Sequence, residues 1–501
     1  MNIRILHDAL ETIRVDALVV GLAQPIVPLT GAVTALDHAL RGAIGRLIEL
    51  GDFSGKVGEA VILYSNGLIP APRLVLVGLG DRARLRVDLI RQAAGVALRK
   101  ARDLRCRQVA AWLPDVASES IRASDLAQAV VEGALMGTWR FAEHKSEPDG
   151  PSVEHLMIVA SRREAIDDMR RGAESGQIVG EAVNTARALA QQPANVMTPP
   201  ALADQAFALA QEAGLSCTIL DEHQIAEQGM GGVLAVARGS AHPPRLVILE
   251  HAGQGGAPLV FIGKGVTFDS GGLSLKEPSG METMKADMSG AAAVISALAA
   301  IARLGLPRRV IGLAPLVENM PDGRAYRPGD VVKMMSGYTV EIISTDAEGR
   351  LTLADALHYA KRYKPAGVVD LATLTGASVV ALGEGVAAAL FANDNAWAKT
   401  IRAAAGFCGE RVWRMPLYPE YAGKLRSDTA DMKNTAGRTG GVGASAWFLK
   451  RFVDGKDGYP WAHIDMAGMM LATDARGYQP KGATGFGVRT FIRLAEMDSR
   501  R

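Results

Sequence analysis

The chain has 501 residues, 48% of them hydrophobic and 22% charged, an ordinary globular composition that excludes predominant disorder. At roughly 100–200 residues per domain, the length allows two to four domains. The net charge of +2 argues against a dedicated nucleic-acid binder, and three cysteines exclude both a disulfide framework and a cysteine-rich zinc site. Any metal would have to be held by oxygen and nitrogen ligands.

The first 22 residues mix charges into their apolar positions, so no signal-peptide core is expected. Short apolar runs at Val15–Val20, Ala60–Leu63, Leu74–Gly78 and Val109–Leu113 predict buried strands, with helical spacing between them at Leu89–Arg102 and Leu126–Met136. This alternation predicts a small α/β domain. It closes with the polar stretch Glu143–Glu154 and a strand at Leu156–Ala160. The charged segment Arg162–Leu189 predicts a helix that stops before Pro193 and joins two domains. The expected organisation is α/β throughout: an N-terminal domain over residues 1–165, a connecting helix over 166–190, and a larger catalytic domain with a central mixed sheet over 191–501.

In the second domain, strands are predicted at Leu246–Leu249, Leu259–Ile262, Val310–Leu313, Val340–Ser344 and Val368–Ala372. Helices are predicted at Gly290–Leu304, Leu353–Tyr363 and Ala446–Phe452. The longest apolar stretch, Ala291–Ala302, is too short to span a bilayer and suits a buried helix. Cys106, Cys217 and Cys408 are widely spaced and read as buried small hydrophobes without disulfides, which favours the cytoplasm and no membrane.

Ligands in α/β folds collect beyond the carboxyl ends of strands. Two such ends are rich in ionisable groups: Gly263–Gly272 (GKGVTFDSGG) and Ser344–Leu351 (STDAEGRL), with a third cluster from Lys276 to Asp287. Structural readings compete. Thr345 and Glu348 match a capping box, and Asp287 could cap the helix near Gly290. The pattern around Lys264 fails the P-loop requirement, since Pro258 and Gly265 stand where a glycine and a hydroxyl residue are needed. No G-x-S-x-G elbow and no H-E-x-x-H are present. Charge favours a functional reading. If Asp269, Asp287, Asp346 and Glu348 converge, their repulsion is prohibitive unless cations neutralise them, and two divalent ions would balance four carboxylates. Asp346 and Glu348, two apart, would point to one side of an extended backbone. Lys264 could bind metal as a neutral amine, while Lys276 and Arg350 would act as electrophile and anion clamp.

The octapeptide Ser344–Leu351 closely resembles the signature of the leucyl aminopeptidase family, the cytosol aminopeptidases. Gly263–Lys276, Met284–Asp287, Glu318–Val331, Asp370–Ala377 and Trp461–Gly468 resemble further motifs of that family, in order along the second domain. The resemblance implies a two-metal exopeptidase that releases leucine-like residues from peptide N-termini. It implies that Lys264, Asp269, Asp287 and Glu348 hold one metal and Asp269, Asp346 and Glu348 the other, as Mn2+ or Zn2+. A metal-activated water would attack the carbonyl, Lys276 would stabilise the oxyanion, and Arg350 would hold a bicarbonate general base. Met284, Thr373, Gly376, Ala467 and Met470 would line the substrate side-chain pocket, and the assembly would be a homohexamer. Three positions depart from the family pattern: Ser344 and Gln191 replace asparagines, and Ser289 replaces a glycine. The alternative is a DNA-binding or architectural protein with secondary peptidase activity. It rests on Arg82, Arg84 and Arg86 and on Arg105 and Arg107, which Asp81, Asp88 and Asp103 dilute.

Overall fold

The computed structural model describes residues 1–113, 121–147, 150–437, 439–455 and 457–497; residues 148 and 149 of the polar stretch lie outside it. The chain divides into two compact units, one of residues 1–184 and 473–481, the other of residues 185–472 and 482–501.

Six strands form the sheet of the first unit: β1 (Asn2–Leu6), β2 (Ala17–Gln24), β3 (Ala60–Tyr64), β4 (Arg73–Asp81), β5 (Gln108–Trp112) and β6 (His155–Val159). Their order is β1-β6-β5-β2-β4-β3, parallel except for β3. Burial on both faces explains why β2 and β4 read as unbroken apolar runs. Ala17 and Val19 enter the core cluster beneath helices Val87–Asp103 and Ala123–Thr138, whereas Leu18 and Val20 enter the one beneath Ala32–Ala39 and Ala43–Glu49. Each fully buried Val, Leu or Ile there contributes about 1.5–3 kcal/mol. The segment Thr473–Lys481 completes this unit: Tyr478 Oη donates to Asp88 Oδ1 (3.2 Å), and Arg99 Nη1 donates to the Gly477 carbonyl (2.7 Å). Arg84 pairs with Asp81 and Arg107 with Glu154, both at 3.6 Å. A helix runs from Ile166 to Gln191.

The second unit is built on a nine-stranded mixed sheet. Its strands are β7 (Ser216–Leu220), β8 (Arg245–His251), β9 (Leu259–Gly263), β10 (Gly265–Asp269), β11 (Val310–Asn319), β14 (Gly367–Ala372), β15 (Ala388–Ala392), β16 (Val412–Arg414) and β18 (Trp461–Asp465). A separate three-stranded sheet contains β12 (Val331–Lys333), β13 (Thr339–Glu341) and β17 (Met432–Lys433). The main order is β16-β15-β18-β14-β9-β11-β8-β7, with β10 paired to β11. Strands β9, β11, β14 and β18 run parallel, so their carboxyl ends share one edge of the sheet. The apolar helix Ser289–Arg303 is buried from Ser289 to Ile301. The cysteines form no disulfide; Cys106 and Cys408 are buried and Cys217 is half-buried.

Two local expectations are corrected, and two competing structural readings fail. The Val340–Ser344 strand shortens to β13 and lies in the small sheet, outside the central one. The stretch expected as a loop after β9 contains β10, which adds to the side of β11. Thr345 does not cap a helix: Glu348 is the N-cap of Gly349–Ala360, and it makes no side-chain cap bond. Nor does Asp287 cap the next helix, whose N-cap is Met288.

Candidate active site

The acids reach the site from three segments of the chain. Asp269 ends β10, and Lys264 directly follows β9. Asp287 follows the short turn Met284–Ala286, Asp346 lies in a turn after β13, and Glu348 opens the helix Gly349–Ala360. Asp346 and Glu348 therefore converge through a turn, not along the extended backbone expected. Oxygen atoms of Asp269, Asp346 and Glu348 lie within 4.8 Å of one another.

Lys264 ties the remaining acid to this group. Its Nζ lies 2.8 Å from Glu348 Oε1, 2.9 Å from Asp287 Oδ1 and 3.1 Å from the Thr373 carbonyl, all buried. The amine fits because residue 349 is glycine: a Cβ there would lie 2.4 Å from Lys264 Cε. Lys276 Nζ pairs with Asp269 Oδ2 at 2.9 Å and with Asp346. Asp269 Oδ1 accepts from Gly271 N (2.9 Å) and Asn319 Nδ2 (2.8 Å). Gly271 makes that turn at φ +86°, and a Cβ on it would lie 2.4 Å from the Ser274 carbonyl. Thr345 Oγ1 donates to the Gly271 carbonyl (2.6 Å) and accepts from Ser274 N (2.7 Å), pinning the two motif loops together. Its hydroxyl is used here, which is why the capping-box pattern is not realised.

Electrostatics follow from this crowding. Burial, then Glu348, pushes the Asp269 carboxyl above the usual range, with Lys276 and Lys264 opposing. Asp287 is raised by burial in the same way. Burial works against the ammonium of Lys264, but Asp287, Glu348 and Asp269 more than offset it and hold its pKa high. For Glu348, burial is outweighed by Lys264 and Lys276, and its carboxyl stays ionised. Four carboxylates against two lysines leave the cluster short of positive charge. Asp287 Oδ2 lies 2.8 Å from Lys264 Nζ yet has no well-directed hydrogen bond, and Asn319 Oδ1 is buried without a partner. An oxygen-rich, electron-donating set of this kind, buried but for Asp346, suits hard or borderline divalent cations.

Arg350 is buried on the same helix, and burial lowers its pKa to about 10. Its Nη1 donates to the Asn434 carbonyl (2.8 Å), while its Nε is buried with no hydrogen-bond partner. The cationic donor thus has capacity left for an anion.

Thr373 Oγ1 donates to Asp287 Oδ1 at 2.6 Å, so the hydroxyl expected to line a side-chain pocket also orients a carboxylate. Met284 and Met470 are half-buried, and Gly376 opens on free space. The departures are accommodated. Ser344 Oγ accepts from Asp346 N (3.2 Å), Ser289 Oγ donates to the Ala286 carbonyl (2.5 Å), and Gln191 Oε1 accepts from Ala483 N (3.0 Å).

Sequence reasoning missed the neutral residues. Asn434 is fully buried; its Oδ1 accepts from Ile343 N (2.8 Å) and Ser344 N (3.4 Å), and its Nδ2 donates to the Ser344 carbonyl (2.7 Å). Asn319 Nδ2 also reaches the Thr345 carbonyl (3.0 Å), which accepts from Tyr326 Oη (2.7 Å) as well. Asn319 and Tyr326 lie inside the motif Glu318–Val331 already singled out; charge alone drew the eye past them.

A mixed α/β catalytic unit with carboxylates and lysines gathered at its parallel strand ends has the organisation of a metallohydrolase. The catalytic-domain description of the cytosol aminopeptidase family matches residues 184–492, and its N-terminal-domain description matches residues 19–148. A relative in Geotalea uraniireducens, named a probable cytosol aminopeptidase, is 44% identical over 461 residues, covering 91% of this chain and 92% of its own. Among solved structures, a tomato leucine aminopeptidase mutant is similar with TM-score 0.89 and 32% identity, covering 99% of this chain and 97% of its own. The bottromycin maturation enzyme BotP in complex with Mn is similar with TM-score 0.84 and 38% identity, covering 96% of this chain and 99% of its own. The chain belongs to the cytosol aminopeptidase family. It is accordingly a hydrolase of the aminopeptidase class.

Proposed function

We propose that this aminopeptidase is a two-metal enzyme that releases leucine-like residues from peptide N-termini. The observation that carries this reading is the convergence of three buried carboxylates, Asp269, Asp287 and Glu348, and buried Lys264 with the exposed Asp346 at the rim. Lys264, Asp269, Asp287 and Glu348 would hold one divalent cation, and Asp269, Asp346 and Glu348 the other. Mn2+ fits the oxygen-rich donors, and BotP is described as a complex with Mn; Zn2+ fits the same charge count. Bound there, such cations supply Lewis acidity and lower the pKa of water toward neutrality. Lys264 would serve as a ligand in its neutral amine form.

The chain's own groups do the rest. Lys276, paired with Asp269 and Asp346 at the site's rim, swings its ammonium to the scissile carbonyl oxygen and stabilises the oxyanion. Arg350, with its open Nε, would hold bicarbonate, an anion with general-base chemistry. Met284, Thr373, Gly376, Ala467 and Met470 would receive the first side chain, and two flexible thioethers suit an aliphatic one. Family membership supports a cytoplasmic homohexamer acting on short peptides.

The test is hydrolysis of leucine p-nitroanilide before and after chelation, with metal counted per chain. Loss on chelation and recovery with Mn2+ or Zn2+ at two ions per chain is expected. Activity that survives chelation would sink the mechanism.

A further inference from the structure

The proposed pocket for the first side chain draws on two loops from neighbouring strands: Thr373 and Gly376 follow β14, and Ala467 and Met470 follow β18. One buried side chain outside the candidate metal ligands joins them. Asp465, 1% exposed, ends β18 opposite Ala372 of β14 and Ala389 of β15. Its Oδ1 accepts from Leu374 N (3.2 Å) and Thr375 N (3.4 Å) on one loop and from Ala467 N (3.2 Å) on the other. Its Oδ2 accepts from Thr375 Oγ1 at 2.6 Å. The Thr375 oxygen in turn accepts from Ser378 N (3.1 Å) and caps the helix Gly376–Leu382. That helix packs on the turn Ala467–Met469, and Gly385 N donates to the Gly468 carbonyl (2.8 Å).

In all four of these hydrogen bonds Asp465 accepts, three from peptide N–H groups and one from a hydroxyl. A carboxylate satisfies all four as they stand. An asparagine that keeps its oxygen on the three peptide N–H groups turns its NH2 toward the Thr375 oxygen, which must then accept from it as well as from Ser378 N, and the Thr375 hydroxyl hydrogen loses its acceptor. Among the described residues no lysine, arginine or histidine forms an ion pair with Asp465, so a simple structural salt bridge does not account for its charge. The positive groups that face it electrostatically are His463 and Arg350.

We propose that Asp465 is a positioning residue for substrate selectivity: through Thr375 and Ala467 it fixes the spacing of the two loops that would receive the first side chain. This deepens the side-chain pocket assigned above and rests on it. Among the described residues no hydrogen bond or ion pair joins Asp465 directly to a candidate metal ligand; its nearest link is Leu374, which follows Thr373, the residue bonded to Lys264 and Asp287, so metal content is read beside selectivity in the test. The measurement is kcat/KM on leucine and alanine p-nitroanilides, with metal content per chain, for the parent, Asp465→Asn, Thr375→Val and Thr375→Ser.

Asp465→Asn and Thr375→Val should each lower the leucine-to-alanine ratio about fivefold, as losing roughly one hydrogen bond predicts. Metal content should stay at the parental value, and Thr375→Ser, which keeps the hydroxyl, should keep the ratio. A ratio unchanged in Thr375→Val overturns the proposal, as does a Thr375→Ser variant no better than Thr375→Val. If Asp465→Asn fails to fold, the Thr375 pair decides alone. A parent enzyme that treats the two anilides alike removes the pocket itself, and the proposal with it. Loss of activity together with metal in Thr375→Val would show a general scaffold role and also overturn it.

Discussion

Truncating Asn434 isolates what holds the Ser344–Leu351 segment in place. The side chain makes two short hydrogen bonds, with Ile343 N (2.8 Å) and the Ser344 carbonyl (2.7 Å), and two longer contacts, with Ser344 N (3.4 Å) and the Ala347 carbonyl (3.5 Å). Counting the short pair at about 1–2 kcal/mol each, Asn434→Ala should cost ~2–4 kcal/mol. For a unit of this size that lowers Tm by about 2 °C per kcal/mol, or ~4–8 °C. The bonds frame Asp346 on both sides, and the Asn434 carbonyl holds Arg350, so Mn2+ affinity should fall as well. Asn434→Asp keeps the acceptor, loses both donors and places a negative charge against the Ser344 carbonyl; it should be at least as damaging. Thermal scans and Mn2+ titration against a fluorescent chelator give both readouts. A Tm for Asn434→Ala within about 1 °C of the parent, with Mn2+ affinity unchanged, would show that the loop holds itself and refute the reasoning.

Other substitutions probe separate links. Glu348→Ala should abolish turnover with far-UV circular dichroism unchanged, because it removes the acid shared between Lys264 and the three-carboxylate group; near-normal activity would contradict the site assignment. Gly349→Ala places a Cβ 2.4 Å from Lys264 Cε and should displace the amine, lowering bound metal and activity together; activity within about twofold of the parent would count against it. His463 is buried with its Nδ1 2.5 Å from Asp370 Oδ1; burial opposes its charge, but Asp370 more than offsets this and raises its pKa. A raised folded-state pKa stabilises fully below histidine's unfolded value of about 6.5 and fades as pH rises through the folded value. The urea-midpoint gap between parent and Asp370→Asn should therefore narrow as pH rises above about 6.5; a constant gap would exclude the charged pair.

The parallel strands of both units were legible in the sequence because burial on two faces leaves continuous apolar runs, as at Leu74–Gly78 and Leu259–Ile262. Strand β10 was not: its residues Gly265–Asp269 carry a threonine and end on a charge, and its pairing with β11 comes only from the fold. At the site, the gathering of Asp269, Asp287, Asp346 and Glu348 was legible through charge, since four acids near strand ends demand compensation. Local rules misled at Thr345 and Asp287. Their side chains satisfy the capping pattern, but tertiary partners claim them first, Gly271 for one and Lys264 for the other. Asn319, Asn434 and Asp465 were illegible for a different reason. Their importance lies in bonds to backbone groups of distant segments, which composition and spacing do not encode.

The placement of Thr473–Lys481 bears on the order in which the molecule can be made. Domains generally fold as they emerge during synthesis, the N-terminal one first. Here the first unit is incomplete until Tyr478 has been translated, since its hydroxyl on Asp88 and the Gly477 carbonyl on Arg99 are part of that unit. Its last buried piece thus arrives after nearly the whole catalytic unit has left the ribosome. A nascent chain halted in the helix Ile166–Gln191 would carry an unfilled seat beside Asp88.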